Sequence, residues 1–155
     1  MCSLPRRKSM SKKATFIGHG ECPNVNINEV RENIIDLIKN HGVEEFISGG
    51  MGNFDLLCAE IVHKLKENYP NIKSYVVIPY LNFNIRCPNY YDGSIYPEGF
   101  EKFYFKSAII KRNKYLVDNS EYAVCYVNHN WGGAVKTYEY AKKKGLQIIN
   151  LGKFL

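Results

Sequence analysis

The apolar residues of this chain fall into short blocks of two kinds. Continuous apolar runs that end at glycine, proline or asparagine are typical of buried parallel strands, and longer stretches with apolar residues three or four positions apart are typical of amphipathic helices. The first pattern predicts strands from Ala14 onward (ATFIG) and over 43–48, 73–78, 121–127 and 146–151. The second predicts helices from Asn26 or Asn28 to about His41, over 54–69, over 98–118 in two pieces, and over 134–144.

Strands and helices alternate along nearly the whole chain. This order predicts an α/β fold, a Rossmann-like three-layer sandwich with a mostly parallel sheet of about five strands. The exception is the stretch 80–97, which is rich in Asn, Tyr, Pro and Gly; a loop of that length inside a compact domain is often functional. The 155 residues suit one domain, which we expect over 13–155 after a basic, flexible tail over 1–12.

The net charge of +6 is concentrated at the N-terminus, because five basic residues, four of them in the tail, precede the first acid, Glu21. Without those five, 16 basic residues face 15 acidic ones. A near-neutral body argues against a groove that follows phosphates, so we expect no nucleic-acid partner.

The chain has no apolar run long enough for a membrane span and no secretory h-region, so we expect a cytoplasmic protein without a membrane partner. Five cysteines, an odd number, predict free thiols.

Glycines cluster where the predicted strands pass into helices. Loops that leave the carboxyl ends of parallel strands meet at one sheet edge, and ligands bind there. Three of these loops, 18–24, 48–55 and 128–133, are glycine-rich, which lets backbone N–H groups approach an anion at a helix N-terminus. Together they predict a site for a phosphate-bearing ligand, although any one of them alone would be explained as a tight turn. The candidate ligand-binding residues are Gly18, His19, Gly20, Gly49, Gly50, Gly52, Asp55, Pro79, Arg112, Asn113, Trp131, Gly132, Gly133 and Thr137.

Several of these residues admit two interpretations. Asp55 would accept a ribose hydroxyl or a base N–H, or it would simply complement a helix dipole. His19 would stack on a base or bind a phosphate, or be purely structural. Trp131 would cap a ligand or form a subunit contact, which leaves a homo-oligomer open. Arg112 lies in an otherwise apolar helix and is expected to point at the ligand edge. The cysteine and histidine spacings fit no usual zinc pattern, so we expect neither a metal nor another cofactor.

The standard nucleotide-binding fingerprints are absent, because the chain contains neither G-x-x-x-x-G-K-[ST] nor G-x-G-x-x-G after its first strand. Other segments nevertheless resemble a known family in order and spacing. They are GHG at 18–20, SGGMGNFD at 48–55, VIPY at 77–80, YDGSIYP at 91–97, IIKRNKYLVDNSEYAVCYV at 109–127 and WGGAVKTYEYA at 131–141. Together they resemble the SLOG superfamily, and most closely its YpsA-like branch. The resemblance implies a Rossmann-like sheet that binds nucleotides or nucleotide-derived ligands.

The same superfamily includes the LOG phosphoribohydrolases and the DNA-processing protein DprA. Similarity to the LOG enzymes places Arg112 and Glu139 on that family's catalytic Arg and Glu. Half of the LOG motif differs here, since Trp131 replaces a proline, Asn113 replaces a lysine, and VK at 135–136 replaces G-T. We therefore expect a sensor or sequestering protein for a nucleotide-like ligand. The alternatives are a LOG-like hydrolase that cleaves the N-glycosidic bond of a nucleoside monophosphate and, more weakly, a DprA-like single-stranded DNA binder.

Overall fold

The structure of the protein, a computed structural model, describes residues 11–153. Most of the predicted basic tail therefore lies outside the described residues. Within them, the first strand begins at Lys12, two residues before the predicted start. None of the helices in this range has the length and apolar character needed to cross a membrane.

Within residues 11–153, six strands form one sheet, and all of the pairs are parallel. Their order across the sheet is β4-β3-β2-β1-β5-β6. Four helices connect them, which confirms the Rossmann-like α/β prediction. The strands are β1 (Lys12–Gly18), β2 (Val43–Ser48), β3 (Lys73–Val77), β4 (Gly93–Ile95), β5 (Tyr122–Tyr126) and β6 (Gln147–Asn150), and the helices are α1 (Ile27–His41), α2 (Asn53–Leu65), α3 (Phe105–Asp118) and α4 (Gly133–Lys144).

Local signals in the sequence explain where α1 and α2 begin and end. The Asn26 side chain accepts a hydrogen bond from the Glu29 N–H and caps α1, and Gly42 ends that helix in the left-handed conformation. Helix α2 ends at Leu65, earlier than predicted. The N–H groups of residues 66–68 bond to carbonyls three residues back, so the chain tightens before it reaches Pro70.

Alternate residues along the strands face two separate cores. Phe16 and Val124 point toward α1 and α2, whereas Ile17 and Cys125 point toward α3 and α4. This alternation is what the two-residue period of a strand requires when helices cover both faces of the sheet. The three layers leave the loops at the carboxyl ends of the strands exposed at one edge.

The long connection after β3 contains structure that the sequence did not predict. It holds a single 3-10 turn over Pro88–Tyr90 and the three-residue strand β4. The stretch 98–118, predicted as a helix in two pieces, forms a 3-10 turn over Phe100–Lys102 followed by α3. Strand β4 pairs with β3 at the sheet edge, with Tyr75 opposite Gly93 and Val77 opposite Ile95. The sequence GSI is too short to show an apolar pattern, which is why this sixth strand was missed.

Candidate functional site

A cleft of about 290 Å³ opens at the carboxyl edge of the sheet, beside β1. The chain builds β2 to β4 on one side of β1 and then crosses over to place β5 on the other side. The order of strands therefore reverses between β1 and β5, which is where ligands bind in open α/β sheets. Of the predicted ligand-binding residues, those that line this cleft are Gly18, Gly20, Gly52, Asp55, Arg112, Asn113, Gly133 and Thr137.

The glycines of these loops serve different purposes. A Cβ at Gly18 would lie 2.4 Å from the Phe54 ring, so this glycine lets α2 pack closely on β1. Gly52 approaches the backbone of Gly20, and the Asn53 N–H donates to the Gly20 carbonyl at 3.0 Å, which ties two loops together. Beside Gly133, by contrast, a Cβ would meet open space. Gly20 shares this property, and of the two Gly133 is the one at the start of a helix, where a ligand can approach the N–H groups without displacing protein atoms.

Two helices direct their N-termini at the cleft. Helix α2 begins after Gly52 and α4 after Gly132, and neither N-cap glycine has a side chain to bond the first N–H groups. Free N–H groups and the helix dipole together favour an anion at such a position. At α2 the Asn53 N–H is already bonded to the Gly20 carbonyl and Asp55 lies in the first turn, so the start of α4 is the more open of the two. In the loop between β2 and α2, the Met51 carbonyl accepts a hydrogen bond from the Arg86 side chain at 2.9 Å. Arg86 belongs to the long connection after β3, which therefore holds the start of α2 in place.

Arg112 is buried at the floor of the cleft, with 2% of its surface exposed. One terminal nitrogen, Nη1, donates to the carbonyls of Gly49 and Val77, both at 2.9 Å, and Nε donates to Asn113 Oδ1 at 3.0 Å. These bonds join the ends of β2 and β3. Burial lowers the pKa of Arg112, and the neighbouring charge of Asp55 acts in the opposite direction. The guanidinium therefore has a structural role as well as the predicted position at the ligand edge.

Asp55 lies in the first turn of α2 and lines the cleft. The carboxyl group is surrounded by protein although part of the residue remains exposed, and burial raises its pKa to about 6. Arg112 and the N–H groups of Gly50 and Met51 oppose that rise by favouring the ionised form. Near neutral pH this carboxylate can accept hydrogen bonds from ligand hydroxyl or N–H groups.

Behind the cleft lies a polar cluster that the sequence did not reveal. The hydroxyls of Ser48 and Tyr91 are buried close together, yet within residues 11–153 neither has a hydrogen-bond partner of good geometry. Burial raises the pKa of Tyr91 to about 12, and the charge of Asp55 adds to the rise. Both residues stand in segments that the sequence did single out, Ser48 directly before the glycine pair and Tyr91 at the start of YDGSIYP.

Three aromatic rings stack beside the N-terminus of α4. The imidazoles of His19 and His129 lie 3.5 Å apart between centroids, at 9°, and the Trp131 indole lies 3.7 Å from His129, at 23°. The predicted residues His19, Trp131 and Gly132 thus line a hollow that adjoins the cleft. His129 completes the stack and was not among the predicted ligand-binding residues.

Four predicted residues line neither the cleft nor the adjoining hollow. Gly49 packs against the guanidinium of Arg112, and Gly50 adopts a left-handed turn against Val76. Pro79 is buried and does not line the cleft. Glu139 lies on the outer side of α4 with its side chain 61% exposed, 3.8 Å from Lys142 Nζ. In residues 11–153 no group of three or more His, Cys, Asp or Glu side chains is placed to hold a metal ion.

Comparisons with known proteins identify the family and agree with the fold. The family model YpsA, described as the YspA SLOG family, matches residues 23–149. The SPbeta prophage-derived protein YoqJ of Bacillus subtilis is 27% identical over 71% of this chain and 76% of its own length. A UPF0398 protein of Oenococcus oeni is 33% identical over 35% of this chain and only 29% of its own length.

Solved structures of DNA processing protein A (DprA) share the fold. The Helicobacter pylori protein, whose structure is described in terms of single-stranded DNA binding, has a TM-score of 0.63 at 17% identity. The Streptococcus pneumoniae protein has a TM-score of 0.65 at 18% identity. The present chain is covered to 90% and 91%, but it spans only 64% and 50% of those two chains.

Proposed function

Since this chain belongs to the YpsA SLOG family, we propose that it binds a nucleotide or a nucleotide-derived small ligand in the cleft between β1 and β5, as a cytoplasmic sensor or sequestering protein. The observation that supports this most is the meeting of uncapped helix N-termini, the approachable backbone of Gly133, and Asp55 in one cleft. The phosphate would bind at the start of α4, and Asp55 would accept a ribose hydroxyl or a base N–H.

The position of Glu139 favours binding of the ligand without hydrolysis. N-glycosidic cleavage needs a carboxylate beside the reacting carbon to stabilise an oxocarbenium-like centre or activate water. Glu139 instead extends into solvent and pairs with Lys142. Asp55 is the carboxylate that lines the cleft, and it stands on a different helix from the one the LOG motif requires.

Gly133→Val tests the proposed site. A Cβ at this position would point into open space, and Gly133 does not have a positive φ, so the variant should fold normally. Its branched side chain would block the N–H groups at the start of α4. We expect affinity for the nucleoside 5′-monophosphates, measured by calorimetry, to fall about tenfold or more, equivalent to at least ~1.4 kcal/mol. Gly93→Val on β4, where the neighbouring contacts are ordinary, is the control.

Unchanged affinity in Gly133→Val, with a circular dichroism spectrum like that of the wild type, would place the ligand elsewhere. Gly50→Val is not a suitable test, because Gly50 has a φ of +68° and a Cβ there would lie 3.0 Å from Val76. A loss of binding in that variant would not be distinguishable from a loss of folding.

A single-stranded nucleic acid is the second candidate ligand, and the charge on the α3–α4 face favours it. Those two helices have seven exposed lysines and two acids, Asp118 and Glu139. Helices α1 and α2 on the opposite face have three basic and five acidic residues. A near-neutral net charge is therefore compatible with a basic α3–α4 face. The expectation of no nucleic-acid partner rested on that net charge, and it does not stand.

A groove of about 320 Å³ runs along this face between α3 and α4. It shares Asn113, Gly133 and Thr137 with the cleft, so a strand that enters the cleft has a path out along the helices. Lys114 and Lys136 line the groove, and Lys114 Nζ lies 5.4 Å from the centre of the Tyr140 ring. Basic side chains beside exposed aromatic rings are the usual components of a single-strand binding surface.

Charge reversal of Lys114 and Lys136 to Glu tests this second candidate. If a strand follows the groove, anisotropy titrations with a labelled oligothymidine should show weaker binding. The slope of log affinity against log salt should fall by roughly one for each lysine that contacts a phosphate. The pair Lys39→Glu and Lys64→Glu on the opposite face is the control. Equal effects of the two pairs would indicate nonspecific attraction, and tight mononucleotide binding with no oligonucleotide binding would exclude this candidate.

A further inference from the structure

We propose that Trp131, supported by His129 and His19, is the platform on which the aromatic base of the ligand stacks. This inference rests on the proposed nucleotide site and specifies what the tightest ligands contain: an intact, planar base next to a phosphate, which binds more tightly than a sugar phosphate alone.

The three rings form a stack that runs from the protein interior to the solvent. His19 is buried, His129 is half-buried, and Trp131 is 67% exposed. The His19 ring is fixed because its Nε2 accepts the Asn128 N–H at 3.1 Å. Each ring therefore supports the next, and the indole is held with its outer side open to solvent. A rigid aromatic face loses little side-chain entropy when it binds a second ring.

The stack is positioned to share a ligand with the cleft. The hollow beside it, of about 360 Å³, is lined by Gly18, Gly20 and Gly133 as well as by the three rings, and those glycines also line the cleft. Two residue steps separate Trp131 from Gly133, so their Cα atoms are at most about 7 Å apart. An anion at the start of α4 and a ring on Trp131 can therefore belong to one nucleotide.

The electrostatics of the stack suit a neutral planar partner. Burial lowers the pKa of His19, and the adjacent His129 lowers it further, so the inner imidazole is uncharged at neutral pH. The Nδ1 atom of His129 is buried and has no hydrogen-bond partner within residues 11–153. The rings thus hold together by contact between their faces and not by ion pairing. A nucleobase would make the same kind of contact by stacking on the outer face of the Trp131 indole.

Trp131 is the only tryptophan in the sequence, so its fluorescence reports on this position alone. We expect each nucleoside 5′-monophosphate that binds to quench the indole emission, and ribose 5-phosphate to bind without comparable quenching. Trp131→Ala should weaken monophosphate binding by about tenfold, as expected when one base–aromatic stack is lost, and should leave ribose 5-phosphate affinity unchanged. Trp131→Phe, which retains an aromatic face, should recover most of the affinity.

The outcomes separate this inference from the function on which it rests. If monophosphates bind in a manner sensitive to Gly133→Val but neither quench the indole nor respond to Trp131→Ala, the stacking inference is wrong and the proposed function stands. If Trp131→Ala changes only the sedimentation coefficient, the indole is a subunit contact and the inference is again wrong. If neither the monophosphates nor ribose 5-phosphate binds, the proposed function fails together with the inference.

Discussion

Arg112→Ala should lower the free energy of unfolding by about 3–5 kcal/mol, the range typical of breaking a buried, hydrogen-bonded charge network. The substitution removes four side-chain hydrogen bonds, including the one from Nη2 to Met51 Sδ, and leaves the carbonyls of Gly49 and Val77 without their donor. It also leaves a space below Gly49, whose Cβ position lies only 2.9 Å from the guanidinium carbon. Urea denaturation followed by circular dichroism measures the effect.

Lys111→Ala is the matched control for Arg112→Ala, because Lys111 precedes Arg112 on α3 and is exposed. It should change stability by less than about 0.5 kcal/mol, as is usual for surface positions. If Arg112→Ala were as stable as this control and lost only ligand affinity, Arg112 would be a ligand residue without the structural role assigned here.

Asp55→Asn should change stability and ligand affinity in opposite directions. Its folded-state pKa of about 6 lies above the ordinary value of 3.8, so ionisation of the carboxyl destabilises the folded protein. The protonated carboxyl therefore favours the folded state. Its contribution to the free energy of unfolding is fully present below pH 3.8 and is lost as the pH rises through about 6. The amide variant cannot ionise and so avoids this loss, and it should therefore be more stable than the wild type at pH 8, by about 3 kcal/mol.

The same Asp55→Asn substitution should weaken nucleotide binding, because an amide oxygen is a poorer acceptor for a ribose hydroxyl or base N–H than a carboxylate. Thermal unfolding across the pH range and calorimetric binding at neutral pH measure the two effects. Glu60→Gln, on the exposed side of the same helix and paired with Lys64, should change neither. A destabilised Asp55→Asn at pH 8 would show that the carboxylate stabilises the fold instead of serving a ligand.

The sheet and the positions of the loops could be predicted from the sequence because local patterns determine them. Strand β2 was predicted with the observed bounds, and the start of α1 was predicted at Asn26 or Asn28, of which Asn26 is the cap. Strand β4 could not be predicted, since three residues without an apolar pattern become a strand only by pairing with β3. The convergence of the glycine loops followed from parallel topology alone.

The roles of individual side chains were harder to predict because they depend on which side of a helix faces the sheet. Ala108, Arg112 and Leu116 are spaced four residues apart and are all buried, so this spacing was an available signal that Arg112 lies beneath the surface. Glu139 matched a catalytic position in sequence, but the residues of α4 that pack inward are its neighbours Tyr138 and Ala141. The basic α3–α4 face was hidden because a total charge averages over both sides of the sheet.

Amide chemical shifts of the ¹⁵N-labelled protein, titrated with the four nucleoside 5′-monophosphates, test the nucleotide site most directly. We expect the largest perturbations at the N–H groups of Gly133, Ala134 and Gly52, at the starts of α4 and α2, and at the Trp131 indole N–H. The same titration of Gly133→Val should lose them. Perturbations located away from the cleft, or none at millimolar nucleotide concentrations, would contradict a nucleotide-binding function for this cleft.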